Sequence, residues 1–147
     1  MDTVKEERYS NGQLRERFTL KDGKVDGLFE RWHENGQQEF RINYKNDSLN
    51  GSYEKWYPNG QLEFRTTYKN GNRDGLTEEW YPNNQLMMRS NYKNGKWHGL
   101  VEEWYKNGQL RWRSTFKNGK LHGLYEEWDR DGKLTVHTNY KNGRVEE

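Results

Sequence analysis

Five glutamates recur at a fixed interval, Glu30, Glu54, Glu78, Glu102 and Glu126, each 24 residues after the last. Carboxylates in register are raw material for acid–base pairs and two-metal sites. Those need the groups within roughly 4 to 9 Å of one another. Arginines follow the same interval at Arg17, Arg41, Arg65, Arg89 and Arg113, with Tyr53, Tyr57, Tyr81, Tyr105 and Tyr125 nearby. Arginine and tyrosine dominate the hot spots of protein interfaces. The four histidines, His33, His98, His122 and His137, give no metal-ligand spacing. No glycine-rich loop precedes a helix, and no nucleophile lies near a base and an orienting group. The expectation is a chain without catalytic residues, metal or cofactor.

The interval belongs to the whole chain. Gly27, Gly51, Gly75, Gly99 and Gly123 open five units, 27–50, 51–74, 75–98, 99–122 and 123–146, and Trp32, Trp56, Trp80, Trp104 and Trp128 follow five residues after each. A degenerate unit, 3–26, precedes them with Thr3 and Arg8 in place of the glycine and tryptophan, as befits a terminal cap of a repeat array. All 15 glycines fall in three columns. Two columns have one gap each, filled by Asn84 and Asp47, residue types that tolerate positive φ. The opening column has no gap in the five full units, so it demands a conformation or a close approach that even asparagine cannot make.

Within a unit, Ser52 to Tyr57 and Leu62 to Tyr68 read as strands, joined by a type I turn at Pro58-Asn59-Gly60. A three-residue loop pairs Tyr57 with Gln61, Trp56 with Leu62, Lys55 with Glu63 and Glu54 with Phe64. That register sets Arg31 against Glu39, Lys55 against Glu63 and Glu103 against Arg111, all opposite charges. A longer connection, Lys69 to Gly75, leads to the next unit. The predicted fold is all-β: an elongated single-layer antiparallel meander of hairpin repeats. Consecutive glutamates then stand two strands, about 10 Å, apart, too far for paired carboxylate chemistry. Alternation puts Leu28, Glu30 and Trp32 with Leu62, Phe64, Thr66 and Tyr68 on one face, the expected thin core. Tyr53, Lys55, Tyr57, Glu63, Arg65 and Thr67 take the other.

Composition bounds the rest. Hydrophobic residues make up 29% and charged residues 33% of the 147, yet the 15% that are aromatic recur at fixed positions, unlike a disordered chain. A net charge of +2 gives no global pull toward nucleic acid or membrane. There is no cysteine, hence no disulfide framework. The opening residues MDTVKEERYS carry charges and no apolar run, and no transmembrane segment follows, which points to the cytoplasm.

Trp104, Asn107-Gly108-Gln109-Leu110 and Lys117-Asn118-Gly119-Lys120-Leu121-His122-Gly123 carry a family likeness: the chain resembles the MORN-repeat variant family of bacteria. The resemblance implies an extended ribbon of β-hairpins. Members are variously described as antitoxins or immunity partners of toxins, or loosely as phosphoinositide kinases, for whose catalytic domain this chain leaves no room.

The functional expectation is therefore protein binding by occlusion, with a toxin as the partner that the resemblance implies. The candidate contacts are Tyr53, Tyr57, Arg65, Tyr81, Arg89, Tyr105, Arg113 and Trp97, the last because its turn position exposes it. Two alternatives remain. A basic edge at the longer connections (Lys21, Lys24, Lys45, Lys69, Arg73, Lys93, Lys96, Lys117, Lys120, Lys141 and Arg144) is suited to anionic lipid or nucleic acid. A structural array associates with itself by strand addition.

Overall fold

The computed structural model describes residues 1–146. Every regular element in it is a strand, and the strands form one open antiparallel sheet in meander order. The chain divides into two compact units, Met1–Asn72 and Arg73 onward. The first holds β1 (Thr3–Arg8), β2 (Leu14–Lys21), β3 (Lys24–Val25), β4 (Gly27–Trp32), β5 (Gln38–Lys45), β6 (Ser48–Trp56) and β7 (Leu62–Lys69). The short β8 (Asn72–Arg73) spans the boundary. The second holds β9 (Gly75–Trp80), β10 (Leu86–Lys93), β11 (Lys96–Trp104), β12 (Leu110–Lys117), β13 (Lys120–Trp128), β14 (Leu134–Lys141) and β15 (Arg144–Val145).

Two turn chemistries set the period. The short turn is the predicted three-residue loop. In the first unit Gly60 N–H donates to Tyr57 O, Tyr57 N–H to Gln61 O, and Gln61 N–H to the Asn59 side chain. The second turn is tighter than the sequence suggested. Lys45 pairs directly with Ser48, Lys93 with Lys96 and Lys117 with Lys120. Both central residues have positive φ, as at Asn118 (50°) and Gly119 (79°). That is the type I′ hairpin favoured by Asn-Gly. Strands therefore begin earlier than expected, at Ser48 rather than Ser52 in β6. The residues taken for a long connection are strand plus an irregularity at the opening glycine.

The register departs from expectation by one residue. Trp56 faces Leu62 as predicted, but Lys55 faces Phe64 and Glu54 faces Arg65, because Glu63 is an extra residue in a β-bulge. The same shift follows Trp32, Trp104 and Trp128. A one-residue slip carries the whole second strand to the other face. The expected faces are therefore half exchanged. Tyr53, not Trp56, shares a face with Phe64, Thr66 and Tyr68.

That face is the core. In the first unit the Tyr53 ring lies 5.4 Å from Phe64, 6.1 Å from Phe40 and 6.2 Å from Tyr68, centre to centre. In the second, Trp97 packs on Phe116 at 4.8 Å and on Trp112 at 6.2 Å, and Trp112 stacks on Tyr125. The central row runs Phe29, Ile42, Tyr53 and Thr66 in the first unit and Thr77, Ser90, Val101, Ser114 and Tyr125 in the second, and Ile42, Thr66, Thr77, Ser90, Val101 and Ser114 in it are buried. Shorter side chains beside large rings let the rings close over them, so a sheet with few aliphatic residues still excludes water. The Ser114 hydroxyl, taken out of water, donates to Leu124 O at 3.0 Å.

Candidate functional site

The bulge has a second consequence, on the opposite face. It sets the glutamate column directly against the arginine column. In the first unit Glu6, Arg17, Glu30, Arg41, Glu54 and Arg65 follow one another from strand to strand. In the second, Glu78, Arg89, Glu102, Arg113, Glu126 and His137 do the same. Carboxylate and guanidinium alternate along each row, and a histidine ends the second.

Contacts follow the register. Arg17 donates to Glu30 at 2.8 Å, Arg113 to Glu126 at 2.7 Å, and Arg89 reaches Glu78 at 3.4 Å. Hydrogen bonding to Glu30 holds the Arg17 guanidinium above its already high ordinary value. The carboxylates lie low and the guanidiniums high: Glu78 is 6% exposed at its side chain, Arg89 45%. Each guanidinium also rides over an indole. Arg17 lies 5.5 Å from the Trp32 ring centre, Arg113 5.5 Å from Trp128 and Arg89 6.0 Å from Trp104. Such cation–π contacts contribute about 0.5–1 kcal/mol at exposed sites. The tryptophans are thus platforms for arginine on the outer face and not the core that the sequence suggested.

Glu30, Glu78 and Glu126 face guanidiniums rather than open solvent. Among the described residues no group of histidine, cysteine and carboxylate side chains could hold a metal ion. Three of the four histidines serve the backbone. His33 Nε2 lies 2.9 Å from Trp56 O, and His98 and His122 accept at Nδ1 from the N–H groups of Asn118 and Asn142.

The candidate contacts are spread over distinct surfaces. Arg65, Arg89 and Arg113 stand in the charged rows. Tyr53 is in the aromatic core. Trp97, expected to be exposed in a turn, packs instead against Trp112 and Phe116, with its Nε1 buried and without a hydrogen-bond partner. Tyr57, Tyr81 and Tyr105 open short turns. The hydroxyl of Tyr81 donates to Trp104 O at 2.9 Å and that of Tyr105 to Trp128 O at 3.0 Å, tying each repeat to the next. Turn asparagines repeat the device, as when Asn35 donates to Pro58 O and Asn107 to Arg130 O. What the sequence reading missed was that the glutamate column is the partner of the arginine row. Setting the glutamate column against the arginine column, rather than counting outward from the turn, reveals it.

Fold and site together define a class: a repeat sheet with short inter-repeat ties and a patterned outer face. The MORN repeat variant model matches five tandem segments, 25–46, 49–70, 73–94, 97–118 and 121–142, and the chain belongs to that family. The matched segments start at the residue before or within the tight turn-strand, two residues ahead of the opening glycine. No curated protein matches the chain.

Proposed function

We propose that this chain is a non-catalytic protein-binding module, and more specifically an antitoxin- or immunity-type protein of the cytoplasm that covers a toxin with one face of its sheet. The observation that carries the reading is the row of half-exposed guanidiniums seated on indoles. Arginine and tryptophan are the residue types on which interfaces concentrate their energy. The same face carries Leu76 and Leu100, 43% and 41% exposed. A preformed surface of this kind binds with little loss of conformational freedom. In the second unit Arg89 and Arg113 are its contacts, Tyr81 and Tyr105 border it at the turns and Trp97 supports it from beneath; in the first unit Arg65, Tyr57 and Tyr53 hold the corresponding roles. The test is photo-crosslinking in the native host from a benzoylphenylalanine at Leu100, followed by co-expression of the captured protein. A captured protein that arrests growth alone and not beside this chain supports the masking role. A captured protein that is harmless removes it and leaves the binding module. Leu76→Asp with Leu100→Asp should preserve the fold and abolish capture.

One observation favours a second reading, binding of anionic lipid or nucleic acid. Like charges face each other directly at Lys21 and Lys24, Lys93 and Lys96, Lys117 and Lys120, and Lys141 and Arg144. Such pairs are unfavourable until an anion neutralises them. Binding through them should collapse between 50 and 200 mM salt, roughly as counterion release dictates. Capture by the leucine and arginine face should persist.

A further inference from the structure

The repeats are not equivalent at their short-turn edge. The position after the turn-opening residue is Glu34, Pro58 and Pro82 in three repeats, then Lys106 and Arg130 in the last two. The bulge position is Arg15, Glu39, Glu63 and Met87, then Arg111 and Thr135. The repeat of Lys106 and Arg111 is the one with cations in both columns, and Arg130 follows one repeat on. There the structure has an open hollow of about 700 Å³ lined by Tyr81, Tyr105, Lys106, Asn107, Arg111 and Arg130. That volume is within the range of ligand sites.

Its chemistry is specific. Lys106 Nζ stands 5.8 Å from the Tyr81 ring centre, and Arg130 and Arg111 stand 5.8 and 5.7 Å from that of Tyr105. The tyrosine hydroxyls are turned away onto the Trp104 and Trp128 carbonyls, so the rings serve as apolar walls. Arg111 is paired with Glu103 at 2.7 Å, whereas no carboxylate within the described residues pairs with Lys106 or Arg130. Nearby acids are committed: Glu103 also accepts from Trp112 Nε1, and Asp129 Oδ1 accepts from the N–H groups of Asp131 and Lys133. Asn107 is likewise used up, donating to Arg130 O and accepting from Gln109 N–H.

We propose that this hollow receives an acidic, extended segment of the partner protein, one carboxylate on Lys106 and a second on Arg130. The inference rests on the protein-binding reading and deepens it. Backbone donors argue against a phosphate cradle. The N–H groups of Gly108, Gln109, Asp131, Gly132 and Lys133 all donate within their own turns, while phosphate nests use such groups free. Lys106 and Arg130 occupy equivalent positions one repeat apart, hence about 10 Å, two strand spacings. A polyproline-II chain advances about 3.1 Å per residue and completes a turn every three residues, so carboxylates at positions i and i+3 stand on one side of it at about this spacing. The ring walls take the aliphatic stems between them.

The test uses the purified full chain and three probes: an acetylated, amidated peptide Gly-Ser-Glu-Val-Thr-Glu-Ser-Gly, its double glutamine analogue, and inorganic phosphate. Titrations are followed by amide shifts at 100 mM salt. The glutamate peptide should move residues 105–111 and 129–133, with the glutamine analogue at least tenfold weaker. Lys106→Gln with Arg130→Gln should abolish the shifts with unchanged folded spectra, while Lys45→Gln with Lys69→Gln, at other turns, should not. Equal response to the glutamine analogue, shifts confined to the lysine turns, or phosphate binding tighter than the peptide would each overturn the proposal. None of these outcomes bears on capture at Leu100, so the two readings fail separately.

Discussion

Arg113 Nε donates to Glu126 Oε2 at 2.7 Å, from a side chain 47% exposed to one 12% exposed. The pair is asymmetric: the cation keeps its water and the anion has lost most of its own. Removing Arg113 should therefore cost more than a surface ion pair contributes, about 1–2 kcal/mol, because Glu126 keeps only His137, 3.6 Å away. Arg113→Met with Glu126→Met should cost clearly less than the sum of the single changes. Urea denaturation of the four proteins checks this; strict additivity would mean that the alternating row is a surface pattern without coupling.

The repeat, its turns and its glycine columns are legible in the sequence because each rests on local backbone chemistry. Asn84 and Asp47, the two residues standing in for glycine, have φ of 66° and 65°. The bulge at Glu63 is not legible by alternation. Leu62, Phe64, Thr66 and Tyr68 keep an unbroken period of two through it, so nothing in the strand's own pattern marks an extra residue. The charged pairs expected from the simple register misled further. Lys55 does reach Glu63 at 2.8 Å and Arg111 reaches Glu103, although neither pair is directly opposed, while Arg31 bonds Glu16 instead of Glu39. Long side chains bridge a one-residue offset, so satisfied charges alone do not fix a register. Matching Glu54 to Arg65 does, because it holds along a whole row.

The tyrosines of the short turns act as ties between repeats. Tyr105→Phe removes one hydrogen bond to the Trp128 carbonyl and leaves the ring in place. The expected loss is about 1 kcal/mol, the net contribution of a typical intramolecular hydrogen bond. Tyr81→Phe should lose a similar amount at Trp104. Hydrogen exchange should accelerate locally at the partner strand in each case. No change in exchange at residues 126–130 in Tyr105→Phe would show that the tie contributes nothing.

Alkaline pH should destabilise the aromatic core. Burial raises Tyr44 and Tyr125 above their ordinary 10.0, and Tyr125 is raised further by its hydrogen bond to Glu127. A raised folded-state value means that the unfolded chain loses its protons first. The stabilisation is complete below pH 10 and is lost as pH climbs through the folded values. Urea denaturation at pH 8, 10 and 11 should show stability falling across the last interval. Tyr44→Phe with Tyr125→Phe should be less stable at pH 8 yet flatter in profile. An equally steep fall in the double variant would place the titration elsewhere.

The opening glycine answers to a different constraint from the turn glycines. Gly51 has φ of 108°, well beyond the 49–66° of the left-handed asparagines and aspartates in this chain. A Cβ there would also stand 3.2 Å from Asn43 Cβ, whose side chain is fixed by a 2.7 Å bond to the Ser52 hydroxyl. Gly12, with φ of 84°, would meet nothing within 4 Å, and its column already accepts Asn84. Gly51→Asn should therefore cost about 1–3 kcal/mol, the range for a strained backbone position, and Gly12→Asn under about 1 kcal/mol. Both lie in the first unit, so urea denaturation compares them directly. Similar losses at the two positions would mean that the bulge relaxes around a side chain, and that the unbroken glycine column has another cause.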